Sequence, residues 1–190
     1  MKKEYRYLAC FSMPFFLIVA SCLILIFTGL ATPFISGFAV DMSDRLYVGT
    51  QNEIRVYENG YLVETISPKT SSSYAFTINQ NDQIILSTAT TIYTMDLKGN
   101  ILNSQDDPGA NMYNQIQYRK RKFLSHSGDE YKLVSSLGWT RIVKNGEQTV
   151  YQISLLSFAV KVLIVVCGVA IFAFALWVAI QKAKGRLYSH

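Results

Sequence analysis

Four consecutive basic residues, Arg119, Lys120, Arg121 and Lys122, stand in the stretch "YRKRKF" from Tyr118 to Phe123. Guanidinium and ammonium groups clustered in this way can hold an anionic partner, whether a phosphate-bearing polymer or a lipid headgroup, through charge attraction and counterion release. The same run also reads as a solvated loop or edge strand protected from aggregation by its charge, partly balanced by Asp106, Asp107, Asp129 and Glu130. That plainer reading is preferred. Asp41 and Asp44, echoed by Asn79 and Asp82, offer oxygens of the kind calcium takes. A calcium site needs six or more oxygens at controlled spacing, and the EF-hand pattern ending in Glu is missing, so these residues suit Asx-type turns between strands. Lys161, in "SFAVKVLIVV", fits an anchor that snorkels to a membrane interface at the start of an apolar run.

Catalytic constellations do not follow from the remaining residues. Between positions 31 and 154 there is one histidine, His126, and no cysteine, so neither a Cys-His pair nor a multi-histidine metal site can be assembled there. No G-x-S-x-G, phosphate loop or dinucleotide fingerprint occurs. The expectation is a protein that is not an enzyme and that carries no cofactor and no metal.

The elements that position these residues divide sharply in composition. Of 190 residues half are hydrophobic, yet Tyr7 to Val40 and Val162 to Ile180 contain no charge at all, and either run could cross a bilayer core of roughly 30 Å at about 1.5 Å per helical residue. Lys2, Lys3 and Arg6 precede the first run, and Lys182, Lys184 and Arg186 follow the second, whereas residues 31–154 hold 11 basic and 12 acidic side chains. The net charge of +5 thus speaks for membrane topology and not for nucleic acid. The expected organisation is a cytoplasmic tail at 1–7, a transmembrane helix at 8–33, a domain at 34–154 outside the cytoplasmic membrane, a second transmembrane helix at 155–181 and a cytoplasmic tail at 182–190. "VASC", Val19 to Cys22, resembles the lipobox of bacterial lipoproteins, but apolar sequence continues past Cys22 and a retained anchor is the preferred reading.

Strand signals dominate the middle. "RLYVGT", "EIRVYE", "SYAFTI", "QIILST" and "YKLVSS" are short runs rich in Val, Ile, Thr and Tyr, separated by turn dipeptides such as Asn59-Gly60, Lys98-Gly99, Ser127-Gly128 and Asn145-Gly146. Nothing there reads as a helix of more than two turns. "FAVDMSDRLYV" from Phe38 is matched by "FTINQNDQIIL" from Phe76 and, more loosely, by "FLSHSGDEYKL" from Phe123. Spacings of roughly 38 and 47 residues are those of four-stranded propeller blades, and on these residues the region resembles the NHL and PQQ-like families of β-propeller repeats. The resemblance implies three blade-like units near 38–75, 76–117 and 123–153. Three blades cannot close a ring within one chain, which leaves a partial propeller or sandwich, or a six-bladed ring shared by a homodimer.

The functional expectation is a non-catalytic, membrane-anchored protein that presents this β domain to a protein partner or to a second copy of itself. The alternatives are an accessory subunit of an envelope enzyme or transporter, and a binder of anionic polymer or lipid.

Overall fold

The turn residues set the strand boundaries. A computed structural model describes residues 15–26, 28, 30–68, 73–119, 121–136 and 139–187. The chain falls into two compact units, one of Phe34–Ile153 and one of Met1–Pro33 with Ser154–His190.

Among the described residues of Phe34–Ile153 twelve strands form three separate four-stranded antiparallel sheets. The first comprises β1 (Gly37–Val40), β2 (Leu46–Gly49), β3 (Ile54–Glu58) and β4 (Tyr61–Ile66), in that order across the sheet. The second repeats the order with β5 (Ala75–Ile78), β6 (Ile84–Ser87), β7 (Thr91–Met95) and β8 (Ile101–Asp106). The helix α2 (Asn111–Arg119) then leads to the third sheet, β9 (Lys122–Leu124), β10 (Glu130–Ser136), β11 (Trp139–Lys144) and β12 (Gln148–Gln152). Phe38 pairs with Val48 in the first sheet as Phe76 pairs with Leu86 in the second. In all three sheets the last two strands slip register once, between Val56 and Tyr57, Thr94 and Met95, and Ile142 and Val143, which sharpens the local twist.

The first sheet is the middle of the unit. Every residue of β1 and β2 is buried, so both faces are covered and the usual alternation of apolar and polar residues is lost. One face, with Ala39, Tyr47, Ile54 and Val56, joins Phe76, Ile78, Ile84, Leu86 and Met95 of the second sheet in a single core. On the other face the Tyr57 ring meets Tyr151 of β12 edge-on, with centroids 5.2 Å apart. Tyr74, leading into β5, is also buried; burial pushes its phenol up to about 12, and the protonated hydroxyl donates to the Glu53 carbonyl at 2.8 Å.

In the other unit the helix α1, described over Phe15–Ile26, packs against α3 (Leu155–Leu187) through Cys22, Ile26 and Val160, with Ala31 beside them. Ser157 Oγ accepts the Thr32 N–H at 2.9 Å. Cys22 and Cys167 are free thiols, both buried, and Cys10 lies outside the described residues.

Two expectations are overturned here. The chain is not a propeller flanked by two transmembrane helices: among the described residues there are three helices, of which only α3 contains a stretch, Leu155–Trp177, long and apolar enough to cross a membrane, and the strands form three separate sheets. The described part of α1 is 12 residues, about 18 Å at about 1.5 Å per residue, short of a hydrocarbon core. Beyond Ile26 the Thr28 N–H and hydroxyl both reach the Ile24 carbonyl, and the Ala31 N–H reaches the Leu25 carbonyl. The uncharged run from Tyr7 to Val40 misled because it continues through irregular chain at 31–36 into β1, which is apolar for a different reason, burial between two sheets. The second overturned expectation is the lack of a helix longer than two turns. The nine residues of α2 are such a helix, seeded where Asp107 Oδ2 accepts the Met112 N–H at 2.9 Å and held by buried Ile116.

At Gly49 the first sheet lies close against Phe76 of the second. A Cβ there would stand 2.6 Å from Phe76 Cε1 and would also collide with the Ser36 hydroxyl, whereas one on Gly37 would make ordinary contacts beginning at 3.6 Å. Gly49→Ala is therefore expected to cost about 1–3 kcal/mol through overpacking, and Gly37→Ala much less. Denaturant midpoints of the two variants of the full chain in detergent check this; equal midpoints would refute it.

Candidate functional site

Three hairpin turns meet at one end of the sheets, and each is built in the same way. In the β1–β2 turn the Asp44 N–H donates to the Asp41 carbonyl at 3.2 Å, and Asp41 Oδ1 accepts the N–H groups of Ser43 and Arg45, both at 2.9 Å. The β5–β6 turn repeats this with Asn79 Oδ1 accepting from Asn81 and Gln83 at 2.9 and 3.0 Å. In the β9–β10 turn Ser125 Oγ accepts the Asp129 N–H at 3.1 Å. A short side chain with an oxygen two or three bonds from Cα satisfies the turn's N–H groups, which is why Asp, Asn or Ser opens each one. The fourth residue takes a left-handed conformation, with φ of 59° at Asp44, 54° at Asp82 and 85° at Gly128. Turn formation thus accounts for Asp41 and Asn79, and among the described residues no group of three or more His, Cys, Asp or Glu could hold a metal ion.

Asp41 carries more than the turn. Its side chain is fully buried, and Oδ2 accepts Arg45 Nε at 2.7 Å and the Tyr47 hydroxyl at 3.2 Å. Burial raises the Tyr47 phenol well above its ordinary range, with the Asp41 charge adding to the effect, so the hydroxyl remains a donor.

The turns also bond to one another. Asp82 Oδ1 accepts the Met42 N–H at 3.0 Å, tying the second sheet to the first, and Ser127 Oγ donates to Asp44 Oδ1 at 3.3 Å, tying the third to the first. Between them lies a cavity of about 230 Å³. Val40, Ile78 and Phe123 supply apolar wall, and Asp82, Gln80 and His126 supply polar groups. Beside the cavity Asp129 pairs with Lys144 at 2.6 Å; the ammonium holds that carboxyl below its usual range, and the carboxylate in turn raises Lys144.

The basic run is broken up by the fold. Arg119 closes α2 and Arg121 is an exposed turn residue. Lys122 opens β9, exposed and paired with Glu130. Lys120 and the Arg119 side chain lie outside what is described. Register brings in two cations that the linear run does not contain: Lys132 stands directly across from Lys122, and Arg141 lies across from Val134 on β11. Lys122, Lys132 and Arg141 share one face of the third sheet with a single acid, Glu130, which bonds both lysines and is held below its usual range by them. Pairing across β9, β10 and β11 is non-local and left no trace in the local sequence. Lys161 lies in the second turn of α3 and is half-buried.

No family model matches the chain, and no curated protein does. Among solved structures the chain is similar to a protein of unknown function from Bacteroides caccae, with 11% identity over 64% of this chain and 46% of that one and a TM-score of 0.34. The match thus spans about half the length of that protein.

The Asp41 node allows a graded test. Asp41→Asn keeps the side-chain oxygen that Asn79 uses and loses the ion pair, and is expected to cost about 1–2 kcal/mol; Asp41→Ala orphans the turn N–H groups as well and should cost about 3 kcal/mol. Urea unfolding of both variants reads the order, which a reversed ranking would contradict.

Proposed function

We propose that this chain is a non-catalytic, membrane-anchored recognition protein, its β domain presented on the non-cytoplasmic side of the membrane by α3. The observation that carries the reading is the apolar stretch Leu155–Trp177, in which only Ser157, Val160 and Cys167 are buried within the chain. Phe172, Phe174 and Trp177 are among its exposed side chains, and a surface of that kind is stable when lipid covers it. Lys182, Lys184 and Arg186 follow it and favour a cytoplasmic C-terminal side. Lys161, about 9 Å along the helix from Leu155 at about 1.5 Å per residue, would reach the opposite interface by extending its stem.

Recognition of a protein partner, or of a second copy, is supported by the outer strands. All of β8 is exposed, and β4 is exposed from Tyr61 to Thr65. Tyr61, Leu62 and Val63, with Ile101 and Leu102 of β8, thus present apolar side chains on sheet edges whose backbone can pair with another chain. Anchoring is tested by floating membranes that contain the full chain and washing them with alkaline carbonate. The chain should stay with the lipid, and Val166→Asp with Val169→Asp, each a charge costing about 3 kcal/mol near a helix centre, should release it. Carbonate release of the unaltered chain would overturn the reading.

An anionic partner is a second reading, favoured by the face that carries Lys122, Lys132 and Arg141. Replacing all three with Gln should shift elution of the detergent-solubilised chain from immobilised polyphosphate to markedly lower salt. Unchanged elution would exclude that face.

A further inference from the structure

The cavity at the meeting of the three turns has a chemistry that the basic face and the anchor do not use. We propose that it receives one cationic side chain, an arginine or lysine of a partner protein, with Asp82 as its counter-ion. The inference rests on the recognition reading and names a site and a partner chemistry for it.

Charge points this way. The three turns carry four carboxylates, Asp41, Asp44, Asp82 and Asp129. Asp41 is paired with Arg45 and Asp129 with Lys144, while Asp44 and Asp82 have no ion pair among the described residues. Of these two, Asp82 lines the cavity. One of its oxygens is fixed by the Met42 N–H at 3.0 Å, so the carboxylate is held in place before any ligand arrives, which lowers the ordering cost of binding. His126 and Gln80, both exposed at the cavity, make no hydrogen bond within the described residues and can turn toward an incoming donor.

Size and lining agree. About 230 Å³ is below the roughly 300–1,000 Å³ of pockets that enclose whole small molecules, and it suits one long side chain entering end-on. The accessible lining is mainly polar, with a small apolar margin beside the half-buried Phe123 for the methylene stem, and the carboxylate offers the charge for the tip. A divalent cation would need more carboxylate or imidazole ligands than the described residues bring together.

The test uses the full chain in detergent micelles with methyl groups of Met42, Ile78, Val40 and Leu124 labelled, all four residues lining the cavity. Acetyl-arginine methylamide is the probe, and acetyl-citrulline methylamide is its uncharged match. Arginine is expected to move these methyl resonances and to bind at least tenfold more tightly than citrulline. Asp82→Asn, which keeps an oxygen for the Met42 N–H and a residue tolerant of positive φ, should abolish that preference and leave the unliganded spectrum otherwise in place. Equal affinity for the two probes, shifts confined to methyl groups away from the cavity, or an Asp82→Asn chain that still prefers arginine would each overturn the proposal. Flotation of the membrane anchor does not depend on Asp82, so failure here and failure of the anchoring are separate results.

Discussion

The β unit depends on the approach of Phe76 to Gly49. The first sheet must be covered on both faces, and it can be covered on this one only if the second sheet lies close enough for an aromatic ring to rest where a side chain would otherwise stand. Close packing of that kind makes the contact intolerant of small volume changes. The other consequences follow from it: β1 and β2 become wholly apolar, the turns at the end of the sheets are brought within hydrogen-bonding distance, and a cavity is left between them.

Polar chemistry then works at the margin of that packing. Asp41 is buried because it closes a turn on one oxygen and gathers Arg45 and Tyr47 on the other; a carboxylate without those partners would be too costly to bury there. The third sheet relies on exposed pairs such as Lys122 and Lys132 with Glu130, which contribute little stability and leave a basic surface available.

Legibility in the sequence followed the range of each interaction. The turns at Asp41 and Asn79 could be read because an Asx turn is closed within five residues, and the Gly-bearing turns at Asn59-Gly60 and Asn145-Gly146 take the positive φ that their sequence implies. The matching pairs Phe38 with Val48 and Phe76 with Leu86 follow from the same local pattern. What could not be read depended on packing between distant segments. The apolar character of Phe38 to Val40 is a consequence of two sheets stacking on it, which a count of uncharged residues cannot separate from a lipid-facing helix. The grouping of Lys132 and Arg141 with Lys122 depends on strand register, and α2 is too short for its period to stand out against the polar residues around Ile116.

The left-handed residue that ends each turn has a further implication. Glycine holds that place at Gly128, and also at Gly99, where Asp96 opens a fourth turn of the same kind; a glycine adopts the conformation without steric cost. At Asp44 and Asp82 the chain forgoes the easier residue, and those are the two turns whose fourth side chain bonds to a neighbouring turn. A descendant of this sequence could exchange aspartate for glycine there and lose nothing in the hairpin itself. It would lose the side-chain bonds that fasten the turns to one another, and the three hairpins would be free to drift apart in spacing while each remained correctly folded.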